Sequence, residues 1–152
     1  MPNPGLTRRG LLVGGTLAAG AGLAVWTTLF PDDAVGARSL GVAEAHRAAL
    51  AGTITLVDIR RPEEWKSTGL GEGALPLDMR RPDFVATLDA ALGGDRSRPV
   101  ALICASGVRS ARLARALADA GFTDVRDVPE GMSGSRLGPG WVRSGLPVVA
   151  VP

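Results

Sequence analysis

The stretch that most constrains this chain is Leu102-Ile103-Cys104-Ala105-Ser106-Gly107-Val108-Arg109-Ser110. A short apolar run, Pro99 to Ile103, ends at Cys104, the one cysteine among 152 residues. An alanine-rich pattern follows at once: Val108, Ala111, Leu113, Leu117 and Ala120 recur at helical spacing, and Gly121 stands at the stop position. The spacing therefore predicts a buried strand, a tight loop and a helix over Val108 to Ala120. The first N–H groups of a helix have no intrahelical partners. A loop that curls at such a point surrounds its centre with amide donors. Gly107 permits the tight backbone, Arg109 adds a fixed positive charge, and Ser106 and Ser110 offer hydroxyls. A helix N-terminus and a nearby cation each favour a thiolate over a thiol. These residues describe a pocket for an anionic sulfur species or a small oxyanion. The alternative is an inert core cysteine, a common fate of free thiols, but it leaves the Ser-Gly-x-Arg that follows without a role.

The rest of the chain alternates in the same manner. Ser39 is placed to cap a helix from Val42 to Ala51 with Val42, Ala45 and Leu50 on one face, and Gly52 ends it. Thr53 to Asp58 is an apolar, β-branched run that reads as a buried strand. Asp58 and Arg60 fall at its carboxyl end. Pro62-Glu63-Glu64-Trp65 begins a brief helix with proline in the first turn. Gly69 to Asp78 reads as loop or short strand. Pro82 to Leu92 is an amphipathic helix through Phe84, Val85, Leu88 and Leu92. Val125 to Val128 is a third strand, Glu130 to Gly140 a glycine-rich flexible stretch, and Trp141 to Val151 closes the chain. Trp141 and Phe122 read as core residues.

Strands alternating with helices predict an α/β fold, a central parallel sheet with helices on both faces. Ligands of such sheets bind beyond the carboxyl ends of the strands. Asp58 and Cys104 both lie at ends of that kind and are expected to share one rim. One cysteine excludes an internal disulfide and a cysteine-type zinc cluster, and neither a metal nor a cofactor is expected. His46, the single histidine, reads as a surface helix position. The formal net charge is only +2, the arginines are scattered and Lys66 is the only lysine. No basic stripe with interleaved aromatics is present, so nucleic acid is not an expected partner.

Residues 1–37 differ from everything after them. Thr7-Arg8-Arg9-Gly10-Leu11-Leu12 places paired arginines before a weakly apolar run, Leu11 to Phe30, which Pro31-Asp32-Asp33 stops. Val35-Gly36-Ala37 offers small residues suited to cleavage. The pattern is similar to a twin-arginine export signal, which places the remaining domain, residues 38–152, in the periplasm or otherwise outside the cytoplasm. The alternative is an uncleaved anchor: twenty apolar residues suffice to cross a bilayer, which would attach the protein to the inner membrane through residues 11–30, facing outward.

The loop from Cys104 to Ser110 resembles the active-site loop of single-domain rhodaneses, often written Cys-Arg-Ser-Gly-x-Arg-Ser. Leu56-Val57-Asp58-Ile59-Arg60 with Pro62-Glu63-Glu64-Trp65 is similar to the family's Val-Asp-Val-Arg-x-x-x-Glu-aromatic segment. Gly73-Ala74-Leu75-Pro76 and Gly145-Leu146-Pro147-Val148 match in order and spacing. The resemblance spans nearly all of residues 38–149. It implies a sulfurtransferase in which Cys104 takes sulfur from a small sulfane-sulfur donor as a persulfide and passes it to a thiol or cyanide. The loop residues Ala105, Ser106, Gly107, Val108 and Arg109 would bind the donor. Asp58, Arg60 and Ser110 would support the site, Asp58 and Arg60 as a structural ion pair or with Arg60 touching substrate. A low-turnover persulfide carrier or sulfur-sensing module of the same fold is the alternative. Four residues separate Cys104 from Arg109, where related phosphatases have five, and the narrower loop suits sulfur. Two departures stand out: position 105 is Ala, where thiosulfate-using members often carry Arg, and the histidine of the family's Gly-His-Ile-x-Gly-Ala is missing from Gly69-Leu70-Gly71-Glu72-Gly73-Ala74.

Overall fold

The computed structural model describes residues 39–151. The leader assigned to residues 1–37 lies outside them. In chain order the elements are α1 (Val42–Leu50), β1 (Thr55–Asp58), α2 (Pro62–Thr68), β2 (Leu70–Gly71), β3 (Leu75–Pro76), α3 (Phe84–Ala91), β4 (Val100–Ile103), α4 (Val108–Asp119), β5 (Val125–Asp127), α5 (Gly140–Arg143) and β6 (Val148–Val149). The main sheet runs β3-β1-β4-β5 with every pair parallel, and β2 pairs antiparallel with β6 in a separate two-stranded ribbon. An isolated parallel bridge, Ser39 to Asp127, extends the sheet beyond β5.

Side chains alternate across a strand, and here both faces are buried. Val57, Val100, Leu102, Cys104 and Val125 pack with Phe84, Leu88 and Leu117 of α3 and α4. Leu56, Ala101, Ile103 and Val128 pack on the other face with Val42 and Ala45 of α1 and Trp141 of α5. The predicted fold class is therefore the observed one. Each fully buried Leu, Ile or Phe contributes about 1.5–3 kcal/mol relative to exposure. Trp141 is wholly buried, and its indole N–H donates to the Pro147 carbonyl at 2.8 Å. Gly71 lies flat against that ring, leaving no room for a Cβ.

Several local expectations need correction. The N-cap of α1 is Gly41, with no side-chain cap of its own. The Glu130 carboxylate, 88 residues away, accepts from the Val42 amide at 3.1 Å instead. Leu50, Val85 and Val108, read as apolar-face residues, are exposed. In helices this short the apolar stripe is too brief to fix its own phase, and Ala45, Leu88 and Leu117 hold the inner positions. The strand predicted from Thr53 begins at Thr55, and the helix predicted from Pro82 begins at Phe84. His46 is mostly buried. Its Nε2 lies 2.9 Å from Glu72 Oε2 and its ring meets Trp141 edge-on at 5.2 Å. The glycine-rich stretch from Glu130 is tied down: the Met132 amide donates to the Cys104 carbonyl at 2.8 Å, Ser133 to Ala105 at 2.9 Å, and Trp141 to Gly131 at 2.9 Å.

Candidate active site

Parallel pairing sets Asp58 beside Ile103 at the carboxyl ends of β1 and β4, so Asp58 and Cys104 lie one residue apart on the same rim. From Cys104 the chain turns through Ala105, Ser106 and Gly107 into α4. Gly107 is the N-cap, in the left-handed region at φ 84°, with no side-chain cap on the helix. A Cβ there would collide with the Pro129 carbonyl oxygen, and one on Gly131 with the Ala105 carbonyl and Ser106 amide. One backbone segment, Pro129 to Ser133, thus presses on the loop at two glycines, and its Met132 and Ser133 amides fasten it. Among the described residues, the amides of residues 105–109 have no backbone acceptor. They are the free donors that the start of a helix supplies.

Cys104 is buried at 1% exposure and unpaired. The Ser110 hydroxyl donates toward its Sγ at 3.4 Å and toward the Gly107 carbonyl at 3.1 Å. Arg109 also acts on the Cys104 sulfur, but its main partner is Glu64 of α2. Its Nη1 and Nη2 donate to the two Glu64 carboxylate oxygens at 2.8 and 2.6 Å. The Arg109 guanidinium holds the Glu64 carboxyl at about 2, against desolvation that pushes it up. Arg61, Glu63, Glu64 and Arg109 line a cleft of about 440 Å³. Ser106 and Val108 are exposed on the loop and Ala105 is half-buried.

Asp58 and Arg60 form a buried unit behind this cleft, exposed by 0% and 1%. Arg60 donates from its backbone amide, Nε and Nη2 to the Asp58 carboxylate, and from Nη2 to the Gly69 carbonyl at 2.7 Å. Its Nη1 donates to Thr68 Oγ1 at 2.7 Å and toward the Glu64 carbonyl at 3.5 Å. The guanidinium is therefore consumed within the protein, fastening α2 to β1, and does not reach the cleft. The structure gathers Cys104, Ala105, Ser106, Gly107, Val108, Arg109 and Ser110 in one loop; Asp58 pairs with Ile103 just before it, and Arg60 is bound to Asp58 and to Thr68 and Gly69. Three cleft residues, Arg61, Glu63 and Glu64, escaped the sequence reading as site residues. Glu64 carried a signal, a glutamate in the first turn of a proline-started helix, where it accepts from the Arg61 amide at 3.0 Å. Arg61 carried none beyond its place after Arg60.

The family model for the rhodanese-like domain matches residues 42–136. Thiosulfate sulfurtransferase 16, chloroplastic, of Arabidopsis thaliana is 34% identical over 121 residues, covering 74% of this chain and 92% of that protein. Among solved structures, a rhodanese-like domain from Anabaena superposes with a TM-score of 0.60 at 19% identity, covering 75% of this chain and 80% of that one. The polysulfide-sulfur transferase homodimer of Wolinella succinogenes superposes with a TM-score of 0.59 at 24% identity, covering 84% of this chain and 89% of that one. The sequence match, the parallel sheet and the cysteine loop at its carboxyl edge agree, and the chain belongs to the rhodanese-like domain family, whose named relatives include sulfurtransferases.

Proposed function

We propose that this protein is a sulfurtransferase that carries sulfane sulfur as a persulfide on Cys104. The observation that supports this most is the loop itself: a buried lone thiol, five amides without backbone acceptors, and Arg109 at the edge. In the first half-reaction the Cys104 thiolate attacks the outer sulfur of a donor such as thiosulfate. A Cys104–sulfur bond forms, the donor's S–S bond breaks, and sulfite leaves with the electron pair. In the second, cyanide or a thiolate attacks the outer persulfide sulfur and the Cys104 thiolate returns as leaving group. One nucleophile serves both halves. The amides of residues 105–109 stabilise the anionic persulfide, and Arg109 steadies the donor's negative end. Arg60 contributes by holding α2, and so Glu64, in place.

The test is the mass of the full chain after incubation with thiosulfate, mercaptopyruvate or polysulfide. The expected result is a gain of about one sulfur atom that cyanide removes, and no gain in Cys104→Ser. A wild-type protein that takes up no cyanide-labile sulfur from any of the three refutes the reading. A second reading, a low-turnover carrier or sulfur sensor, is favoured by Ala105, which leaves the loop with one cation. Turnover with cyanide or a thiol acceptor separates the two. We also propose export through the twin-arginine pattern of residues 7–12. Replacing Arg8 and Arg9 by Lys is expected to retain the protein in the cytoplasm, and unchanged export refutes the assignment.

A further inference from the structure

Behind the cysteine loop lies a buried acid that the proposed chemistry does not use. Asp127 ends β5 and pairs with Leu102 of β4. Leu102 and Val125, two residues before Asp127, both belong to the core face that holds Cys104 and is covered by α4. Residues two apart on a strand share a face, so the Asp127 side chain enters the space between the sheet and α4, where Ser110 stands in the first turn. It is 6% exposed, and its Oδ1 is buried with no hydrogen-bond partner. Burial pushes the Asp127 carboxyl up, while the Ser110 hydroxyl and the Val128 amide draw it down as donors. Arg126, its neighbour in β5, is paired with Asp124.

The Ser110 hydroxyl has one hydrogen, aimed at Cys104 Sγ at 3.4 Å and the Gly107 carbonyl at 3.1 Å, and the Asp127 carboxyl, buried on the same side of the sheet, competes for it. We propose that Asp127 is a positioning residue for the reactive sulfur, acting through Ser110: ionised, it draws the Ser110 hydrogen away from Cys104, and protonated, it releases that hydrogen to the sulfur. The inference rests on Cys104 being the nucleophile. The hydroxyl is then a donor whose direction depends on pH. A thiolate or persulfide on Cys104 gains the hydrogen bond on the acid side and loses it as Asp127 ionises. Asparagine mimics the protonated acid, being neutral and able to donate to Ser110 Oγ.

The test is the rate of alkylation of Cys104 by iodoacetamide in the full chain, followed from mildly acid to mildly alkaline pH. Asp127→Asn is expected to raise the rate near neutrality about fivefold, the size of one ordinary hydrogen bond, and to move the profile to lower pH. Ser110→Ala is expected to slow alkylation. Within the Ser110→Ala background, Asp127→Asn is expected to change the rate by less than half as much. Superimposable profiles for wild type and Asp127→Asn overturn the proposal. So does an Asp127→Asn effect of equal size with and without Ser110, the signature of bare charge acting through space. Asp127→Ser, small and neutral, replaces Asn where circular dichroism shows that Asn does not fold. Alkylation needs no sulfur donor. A wild type that takes up no sulfur refutes the sulfurtransferase reading and leaves these profiles intact, whereas unchanged profiles with normal sulfur uptake refute only the role of Asp127.

Discussion

Glu64→Gln dissects the ion pair at the mouth of the site. The wild-type carboxyl sits at about 2 against an ordinary 4.5, held there first by hydrogen bonds from Arg109. At 1.36 kcal/mol per tenfold change, that difference corresponds to at most ~3 kcal/mol. Both side chains are about a third exposed, at 30% for Glu64 and 33% for Arg109. Water and salt therefore screen the pair, and the realised contribution is about 1 kcal/mol. The sign follows from the depressed value. An acid lowered by folding stabilises fully above its unfolded value, near 4.5, and loses that contribution as pH falls towards 2. Urea unfolding of the full chain at pH 7 is expected to show Glu64→Gln less stable by about 1 kcal/mol, a melting shift of roughly 4 °C. The gap between wild type and variant is expected to hold down to about pH 5 and to close between about 4.5 and 2. A gap that persists at pH 2, or widens on acidification, refutes the assignment of that energy to the pair. Arg109→Ala removes the same ion pair and costs similar stability, but it alone removes the cation beside the sulfur. Persulfide loading is therefore expected to fall in Arg109→Ala and to survive in Glu64→Gln. Equal loss in both makes Arg109 a structural residue.

Other variants test the scaffold under the loop. Gly107→Ala is expected to cost more than about 2 kcal/mol, because left-handed backbone strain adds to the collision with Pro129; chemical unfolding reads the loss, and a change within about 0.5 kcal/mol refutes the tight clamp. Arg60→Met leaves the Asp58 carboxylate buried without its cation and is expected to cost about 3–5 kcal/mol. The double change Asp58→Asn with Arg60→Met is expected to cost clearly less than Arg60→Met alone, and a larger loss in the double variant refutes the account.

What the sequence disclosed was local, and what it concealed was long-range. The runs ending at Asp58 and Cys104 announced themselves because β-branched and apolar residues cluster in short strands, and a parallel sheet buries both faces. The loop was legible because its parts, a cysteine, a glycine at the turn and an arginine, lie within six residues. Glu64 meets Arg109 across 45 residues, and Glu130 caps α1 from 88 residues away. No periodicity encodes such meetings. The glycines after Glu130 misled in an instructive way. Read as flexibility, they serve close packing, since Gly131 lets the backbone press on Ala105 and Ser106, and amides of the same segment fasten the loop. Asp127 read as an ordinary strand residue, and only the register with Leu102 turns it towards Ser110.

The same non-local assembly bears on the cation missing at position 105. Counted along the loop, the site has only Arg109. Counted in space, Arg61 joins Arg109 at the cleft, brought there from the turn between β1 and α2. The position of α2 is set by Arg60, whose guanidinium ties β1 to Thr68, Gly69 and the Glu64 carbonyl. A second positive charge is thus supplied by an element that the buried Asp58–Arg60 pair anchors. It arrives with company: Glu63 and Glu64 line the same cleft, so the formal charges of the lining residues cancel. A cleft balanced in this way does not concentrate a dianion by its long-range field. On the proposed function, selectivity for an anionic donor comes from short-range contacts with the amides of residues 105–109 and with Arg109. On that reading Arg109 shares its guanidinium between Glu64 and the donor, and the geometry of that one ion pair would set how firmly the site grips sulfur.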